Sequence, residues 1–99
     1  MSPTTRFLIG GHWAAPHGTR RRALVDPATE AVWGELALGD AVDADRAAAA
    51  AGQAGPAWAA TDPAARGALL DRLAAGIEQQ AGAFAAAITR EMGAPVALA

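Results

Sequence analysis

The sequence predicts a small mixed fold in which short β-strands come first and Ala-rich α-helices follow. Residues 7–38 carry most of the β-branched and aromatic side chains at short spacing, a composition that favours strands. Residues 40–93 are dominated by Ala with Leu, Ile, Arg and Gln, which are all accepted in helices. A length of 99 residues allows one domain at most, and 30 of these residues are Ala, which buries little surface. We therefore expect a thin core.

The strand region is punctuated by turn residues. Glycines or prolines follow each apolar run, and Asp26-Pro27 starts a turn because Asp accepts nearby backbone N–H groups and Pro presets φ. The predicted strands are residues 7–13, bent or turned at Gly10-Gly11, then residues 21–25 and residues 31–38.

The first helix has a start signal and a stop signal. Asp40 is a candidate N-cap with Asp43 three positions on, an arrangement that resembles a capping box. The helix is expected to run from about residue 41 to residue 53. Gly55-Pro56 is expected to end it, because proline cannot continue the hydrogen-bond ladder.

Two apolar stripes mark the later helices. Thr61 or Asp62, with Pro63 near the first helical position, opens this region, and Gly93 is a natural stop. The helical pattern restarts or weakens around Gly82. Residues 95–99 resemble the first turn of another helix, so we expect the sequence to be truncated there. The stripes, at i, i+4, i+8 spacing, are Leu69, Leu73 and Ile77, then Phe84, Ile88 and Met92.

Composition excludes several classes of function. Eight basic and ten acidic residues give a net charge of −2, which argues against a general nucleic-acid binder. Charged residues interrupt every long apolar run and the N-terminus lacks a secretory signal, so we expect no membrane partner and a cytoplasmic location. The chain has no cysteine, and therefore no disulfide, thiolate nucleophile or Cys-based zinc site.

Few side chains could carry chemistry. His12 and His17 are the only histidines, and a metal site needs further ligands, so surface or turn positions are favoured. Arginines 20–22 could bind a phosphate or carboxylate. Adjacent residues of a strand point to opposite faces of the sheet, however, so a solvent-exposed strand edge is the favoured interpretation. Ser2, the only serine, lies on an expected loose terminus, and the sequence has no phosphate-binding glycine motif.

The remaining candidates have structural explanations. Acidic residues at the start of the first helix are explained by the favourable interaction of negative charge with the helix dipole. Acidic residues on the second helix are explained by a solvent-exposed helix face. The tryptophans are expected to pack in the core rather than to stack on a ligand. These residues are Asp40, Asp43 and Asp45, then Asp71 and Glu78, then Trp13, Trp33 and Trp58. The residues themselves thus predict no catalytic, cofactor-binding or metal site in this chain.

The order of six short segments is nonetheless specific, and together they resemble the N-terminal part of the aldehyde dehydrogenase superfamily. One departure is Asp26 where the family usually has Asn. Another is Glu30-Ala31 in place of Gly-Glu, from which we expect a turn one residue tighter. The segments are residues 7–13 (FLIGGHW), 25–30 (VDPATE), 43–48 (DADRAA), 56–58 (PAW), 65–70 (ARGALL) and 90–95 (REMGAP).

The resemblance implies an α/β parent fold with a Rossmann-type cofactor domain, of which residues 1–99 form the N-terminal portion. It implies oxidation of an aldehyde with NAD or NADP by a cysteine thiolate, an Asn oxyanion donor and a Glu base, all beyond Ala99, in a homo-oligomer. It also implies a monovalent cation near the Val25 carbonyl and Glu91, although pairing of Glu91 with a nearby Arg explains that acid equally. The alternative is a small, non-enzymatic helical module that binds another protein through its apolar stripes.

Overall fold

A computed structural model describes residues 3–99. Within that range the elements are four strands, three α-helices and two short 3₁₀ turns, and all the strands precede the α-helices. The chain divides into two compact units. One comprises the residues up to Leu24 together with Trp33–Ala60, and the other comprises Val25–Val32 and Thr61–Ala99. The predicted order of strands followed by helices is confirmed.

The first two strands form a tight hairpin. Strand β1 (Phe7–Ile9) pairs antiparallel with β2 (His12–Ala14). The two residues between them, Gly10 and Gly11, have φ of 59° and 80°, a left-handed conformation that glycine adopts without strain. The predicted bend at this Gly-Gly pair is therefore a complete reversal, and residues 7–13 supply two strands rather than one.

Strands β3 (Arg21–Val25) and β4 (Val32–Ala37) form a second two-stranded sheet. The predicted turn between them is present, since Asp26 Oδ1 accepts the N–H of Ala28 at 2.8 Å and that of Thr29 at 3.2 Å. The turn closes with the Asp26 N–H donated to the Ala31 carbonyl at 2.9 Å. Both strands lie within one residue of the predicted bounds.

Glu30 ends this turn in an unusual conformation. Its φ is 60°, and it is the one non-glycine residue with positive φ within residues 3–99. Its N–H donates to the Asp26 carbonyl at 2.8 Å, so the conformation belongs to the hydrogen-bonded turn. A glutamate thus occupies a backbone position that favours glycine. The tighter turn expected from the sequence stays a prediction.

Helix α1 (Ala41–Ala59) begins as predicted but does not end at Gly55-Pro56. The expected end near residue 53 is wrong, because the helix continues through Pro56 for three more residues. Proline clashes with the Cβ of the residue before it, and here that residue is glycine, which has none. Proline still removes one intrahelical hydrogen bond, because it has no N–H, and its ring still crowds the carbonyl of the residue four positions earlier. The helix ends where Ala60 N–H donates to the Pro56 carbonyl at 3.1 Å.

The last two helices are α2 (Pro63–Gln79) and α3 (Ala81–Met92). Asp62 is the N-cap residue of α2 and Pro63 its first residue, as predicted. The break between the helices lies at Gln80, two residues before the predicted weak point. Gly93, with φ of 75°, ends α3 in the left-handed conformation. Beyond it, Val96–Leu98 forms a single 3₁₀ turn in place of the predicted helical start.

The core is as thin as the composition predicts. Among the described residues, Ala37 is the one buried hydrophobic side chain, and Asp43 is the one buried charged group. Both predicted helical stripes are present but largely exposed: Leu73 on α2, for example, is 58% exposed. Trp13 and Trp58 are each about half exposed, so within this chain they are not the packing anchors expected from the sequence. No helix within residues 3–99 has the length and apolarity needed to cross a membrane.

Candidate functional site

Among the described residues, a polar site is centred on the Asp43 carboxylate. Asp43 lies in the first turn of α1 and is only 4% exposed. Its Oδ1 accepts the backbone N–H of His17 at 2.8 Å, and its Oδ2 accepts that of Gly18 at 3.0 Å. Oδ2 also accepts the N–H of Asp40 at 3.2 Å, and Asp40 Oδ1 accepts the N–H of Asp43 at 3.1 Å, which completes the capping box.

A second contact joins the same two parts of the chain. The Nδ1 of His17 lies 2.6 Å from Oδ2 of Asp40, and both side chains are partly open to solvent. Arg46, one turn further along α1, donates to Asp43 Oδ1 at 3.4 Å and to the Ala15 carbonyl at 3.5 Å. The side chains of Asp40, Asp43 and Arg46 therefore bind residues 15–18 to the start of α1.

Glycine is required where this loop meets the helix. Gly18 is buried, and a Cβ at this position would lie 2.5 Å from the Leu38 carbonyl oxygen and 3.3 Å from the Asp40 nitrogen. The backbone of residues 38–40 fills the space that a side chain would need. Only a glycine lets residue 18 bring its N–H to the Asp43 carboxylate.

These hydrogen bonds shift the pKa values of the ionisable groups in the site. The N–H groups of His17 and Gly18 lower the pKa of Asp43 from 3.8 to about 2. The hydrogen bond from the His17 ring lowers the pKa of Asp40, and the same contact with Asp40 raises the pKa of His17 above 6.5. Both carboxylates are therefore ionised at neutral pH. An ionised carboxylate engaged by three backbone donors and an arginine is suited to fastening a loop, not to proton transfer.

An open groove of about 590 Å³ lies beside this site, between β1 and the start of α1. It is lined by Arg6, Phe7 and Ile9 on one side and by Asp43 and Ala47 on the other. The Arg6 guanidinium donates through Nη2 to the Trp13 carbonyl at 3.1 Å. Its Nε is buried and has no hydrogen-bond partner within the described residues. Among the described residues that line it, Arg6 is the cationic group, and the carboxylates of Asp40 and Asp43 are both engaged in hydrogen bonds.

The other sequence candidates remain apart from this site. His12 lies exposed on β2, and no group of three potential metal-ligating side chains occurs within residues 3–99. Arg20, Arg21 and Arg22 are exposed as expected, and Arg21 Nη1 donates to the Gly18 carbonyl at 3.2 Å. Asp45, Asp71 and Glu78 are exposed on their helices. Ser2 lies outside the described residues.

The two residues of the expected cation site fall in the same compact unit. Val25 is the last residue of β3, and Glu91 lies exposed in the last turn of α3. The turn that follows Val25 approaches the end of that helix, because a Cβ on Gly93 would lie 3.2 Å from Pro27 Cγ. The cation itself stays a prediction.

Sequence analysis identified Asp40 and Asp43 as a cap but missed their contact with residues 17 and 18. A capping box is a sufficient reason for an acidic residue at position 43. The neighbouring sequence therefore gives no sign that Asp43 also binds the loop at residues 17 and 18. The buried Gly18, directly after the second histidine, is the one available signal, and it is indistinguishable from an ordinary turn glycine.

Comparison with known proteins shows which family shares this sequence and fold. The model of the aldehyde dehydrogenase family matches residues 13–99. A 3-succinoylsemialdehyde-pyridine dehydrogenase from a Pseudomonas species is 38% identical, covering 97% of this chain and 20% of its own length. A fluoroacetaldehyde dehydrogenase from Streptantibioticus cattleyicolor is 42% identical, covering 97% of this chain and 19% of its own length.

Comparison with solved structures points to the same family as comparison of the sequences. A cysteine-to-alanine mutant of aldehyde dehydrogenase C from Pseudomonas syringae, in complex with NAD+ and octanal, superimposes with a TM-score of 0.93 at 40% identity. The match covers 96% of this chain and 20% of that enzyme. These matches and the strand-to-helix order define the class as a segment of an α/β enzyme fold. The chain belongs to the aldehyde dehydrogenase family, and it spans about a fifth of the length of the relatives that it matches.

Proposed function

We propose that these 99 residues are the N-terminal portion of an NAD(P)-dependent aldehyde dehydrogenase, which oxidises an aldehyde to a carboxylic acid. The single observation that carries the proposal is the superposition on a Pseudomonas syringae aldehyde dehydrogenase bound to NAD+ and octanal, at a TM-score of 0.93 and 40% identity. Family membership across residues 13–99 supports the same assignment.

The catalytic groups come from elsewhere in the polypeptide. The cysteine of the family mechanism adds to the aldehyde carbon as a thiolate and forms a thiohemiacetal. This chain has no cysteine and therefore cannot supply that nucleophile. The nicotinamide of NAD or NADP supplies a hydride acceptor when bound. The described residues have a structural role. The Asp43 site joins the loop at residues 15–18 to α1, and the rest of the enzyme packs against the exposed apolar stripes on α2 and α3.

The substrate is an aldehyde whose identity these residues do not select. The relatives' names refer to a succinoylsemialdehyde-pyridine and to fluoroacetaldehyde, and the solved enzyme holds octanal. Such different aldehydes on a shared N-terminal segment support specificity set by other parts of the protein. We also propose that the enzyme is a homo-oligomer, as the resemblance implies. The comparisons offer no support for the alternative of a helical interaction module.

The test is to express the full-length reading frame and supply NAD or NADP with a panel of aliphatic and aromatic aldehydes. We expect reduction of the nicotinamide by the full-length protein. No reduction is expected from the 99-residue chain or from a full-length variant with its family-matched cysteine changed to Ala. Absence of nicotinamide reduction with every aldehyde in a folded full-length protein would refute the proposed function.

A further inference from the structure

His17 and Asp40 form a contact that the scaffold role of this chain does not require. Their side chains meet at 2.6 Å, with 59% of the His17 side chain and 39% of the Asp40 side chain exposed. An exposed pair of this kind is reached by solvent protons, unlike the buried carboxylate of Asp43. Histidine is also the side chain whose charge changes closest to neutral pH.

We propose that the His17–Asp40 pair is a pH-responsive latch, which holds residues 15–18 against the start of α1 at neutral and mildly acidic pH, where both side chains are charged, and loosens them at alkaline pH. The proposal concerns this segment alone and does not rest on the proposed enzymatic activity.

The geometry connects the latch to the rest of the loop. The backbone N–H groups of His17 and Gly18 both donate to Asp43, so movement of residue 17 away from Asp40 also strains the bonds that satisfy the buried carboxylate. Neutral His17 can still donate from Nδ1 to Asp40, but the attraction between opposite charges is lost. Loss of the proton therefore weakens the loop without abolishing the contact.

The charges around His17 fix the direction of the effect. Asp40, through its hydrogen bond and its charge, and more weakly Asp43 favour the protonated form of His17, while partial desolvation of the ring and the charge of Arg46 on α1 oppose it. Arg21, from β3, donates to the Gly18 carbonyl and adds a second positive charge beside the loop. The two carboxylates prevail, and the pKa of His17 is raised above 6.5. A raised pKa means that the stabilisation is complete below 6.5 and is lost as the pH rises through the higher value of the folded state.

Hydrogen–deuterium exchange of the full-length protein tests the latch, with rates corrected for the intrinsic effect of pH. Between about pH 6 and pH 9, we expect protection of the His17 and Gly18 amides to fall about 1.4- to fivefold, the range for an exposed charge pair. His17→Gln and Asp40→Asn should both abolish this pH dependence. The second variant keeps an oxygen that can cap α1, so it separates charge from capping.

His12→Gln is the matched control, because His12 is also exposed and lies on the neighbouring hairpin. It should retain the wild-type pH dependence. Protection that does not change with pH in the wild type, or a dependence that survives in both His17→Gln and Asp40→Asn, would overturn the proposal. Because exchange is measured without substrate or cofactor, either outcome is independent of whether the protein oxidises aldehydes.

Discussion

Asp43 Oδ2 accepts the backbone N–H of Gly18 at 3.0 Å, although 25 positions separate the two residues. The first turn of α1 is therefore completed by a loop from the strand region. The same carboxylate caps its own helix through Asp40, so one buried anion satisfies donors from two parts of the chain. Removal of that anion should affect folding and leave the chemical step alone.

The Asp43→Asn variant tests this role. The amide keeps one acceptor oxygen but replaces the other with a donor, which faces N–H groups that need an acceptor. We expect the thermal midpoint of the full-length enzyme to fall by several degrees, while kcat and KM of the folded fraction stay unchanged. Asp45→Asn, two positions along the same helix at an exposed site, should leave the midpoint unchanged. A normal midpoint with reduced kcat would contradict the scaffold role.

Acid should remove the same stabilisation from the wild type. The folded-state pKa of Asp43 is lowered to about 2 from an ordinary value of 3.8. A lowered pKa means that the stabilisation is present above the unfolded value and is lost as the pH falls toward the folded value. The difference in urea midpoint between wild type and Asp43→Asn should therefore shrink from about pH 5 down to about pH 2. A difference that stays constant or widens over this range would show that charge on Asp43 is unimportant.

Gly18→Ala should be destabilising for a steric reason. Its Cβ would lie 2.5 Å from the Leu38 carbonyl oxygen, and the obstacle is backbone that cannot rotate away. We expect a loss of about 1–3 kcal/mol in the free energy of unfolding, the usual range for overpacking. Urea denaturation of the full-length protein measures it.

Gly52→Ala supplies the matched control for that steric argument. Gly52 lies inside α1, and a Cβ there would meet nothing within 4 Å. Alanine is favoured over glycine in a helix interior, so this variant should gain up to about 1 kcal/mol. Equal effects of the two substitutions would mean that the contact with Leu38 does not decide the outcome at Gly18.

Local signals explain what could be predicted from the sequence. The Asp26 turn, the Asp40 cap and the Gly93 stop each depend on residues within a few positions, and all three are present. The predicted end of α1 is wrong because Gly55, directly before Pro56, has no Cβ and so removes part of the clash that a proline causes.

Long-range relationships could not be predicted in the same way. The contact of Asp43 with residues 17 and 18 depends on how the strands return the chain to the helix, and no local pattern encodes it. The spacing of Leu69, Leu73 and Ile77 correctly predicted an apolar stripe but not what covers it, because periodicity defines a face and not its partner. The resemblance to a family, which depends on the order of six segments, predicted the parent fold and the class of enzyme, which physical patterns alone did not predict.

Glu30 offers the clearest opportunity to stabilise the chain. Its φ of 60° costs a non-glycine residue roughly 1–2 kcal/mol. Glu30→Gly removes that cost but adds about 0.4–1 kcal/mol of conformational freedom to the unfolded chain. We expect a net gain of up to about 1.5 kcal/mol in the free energy of unfolding of the full-length enzyme, measured by urea denaturation. Glu30→Ala removes the same carboxylate but keeps a Cβ in the left-handed region, so it should give no gain. If Ala stabilises as much as Gly, the benefit comes from the lost charge, and backbone strain at this turn is not the cause.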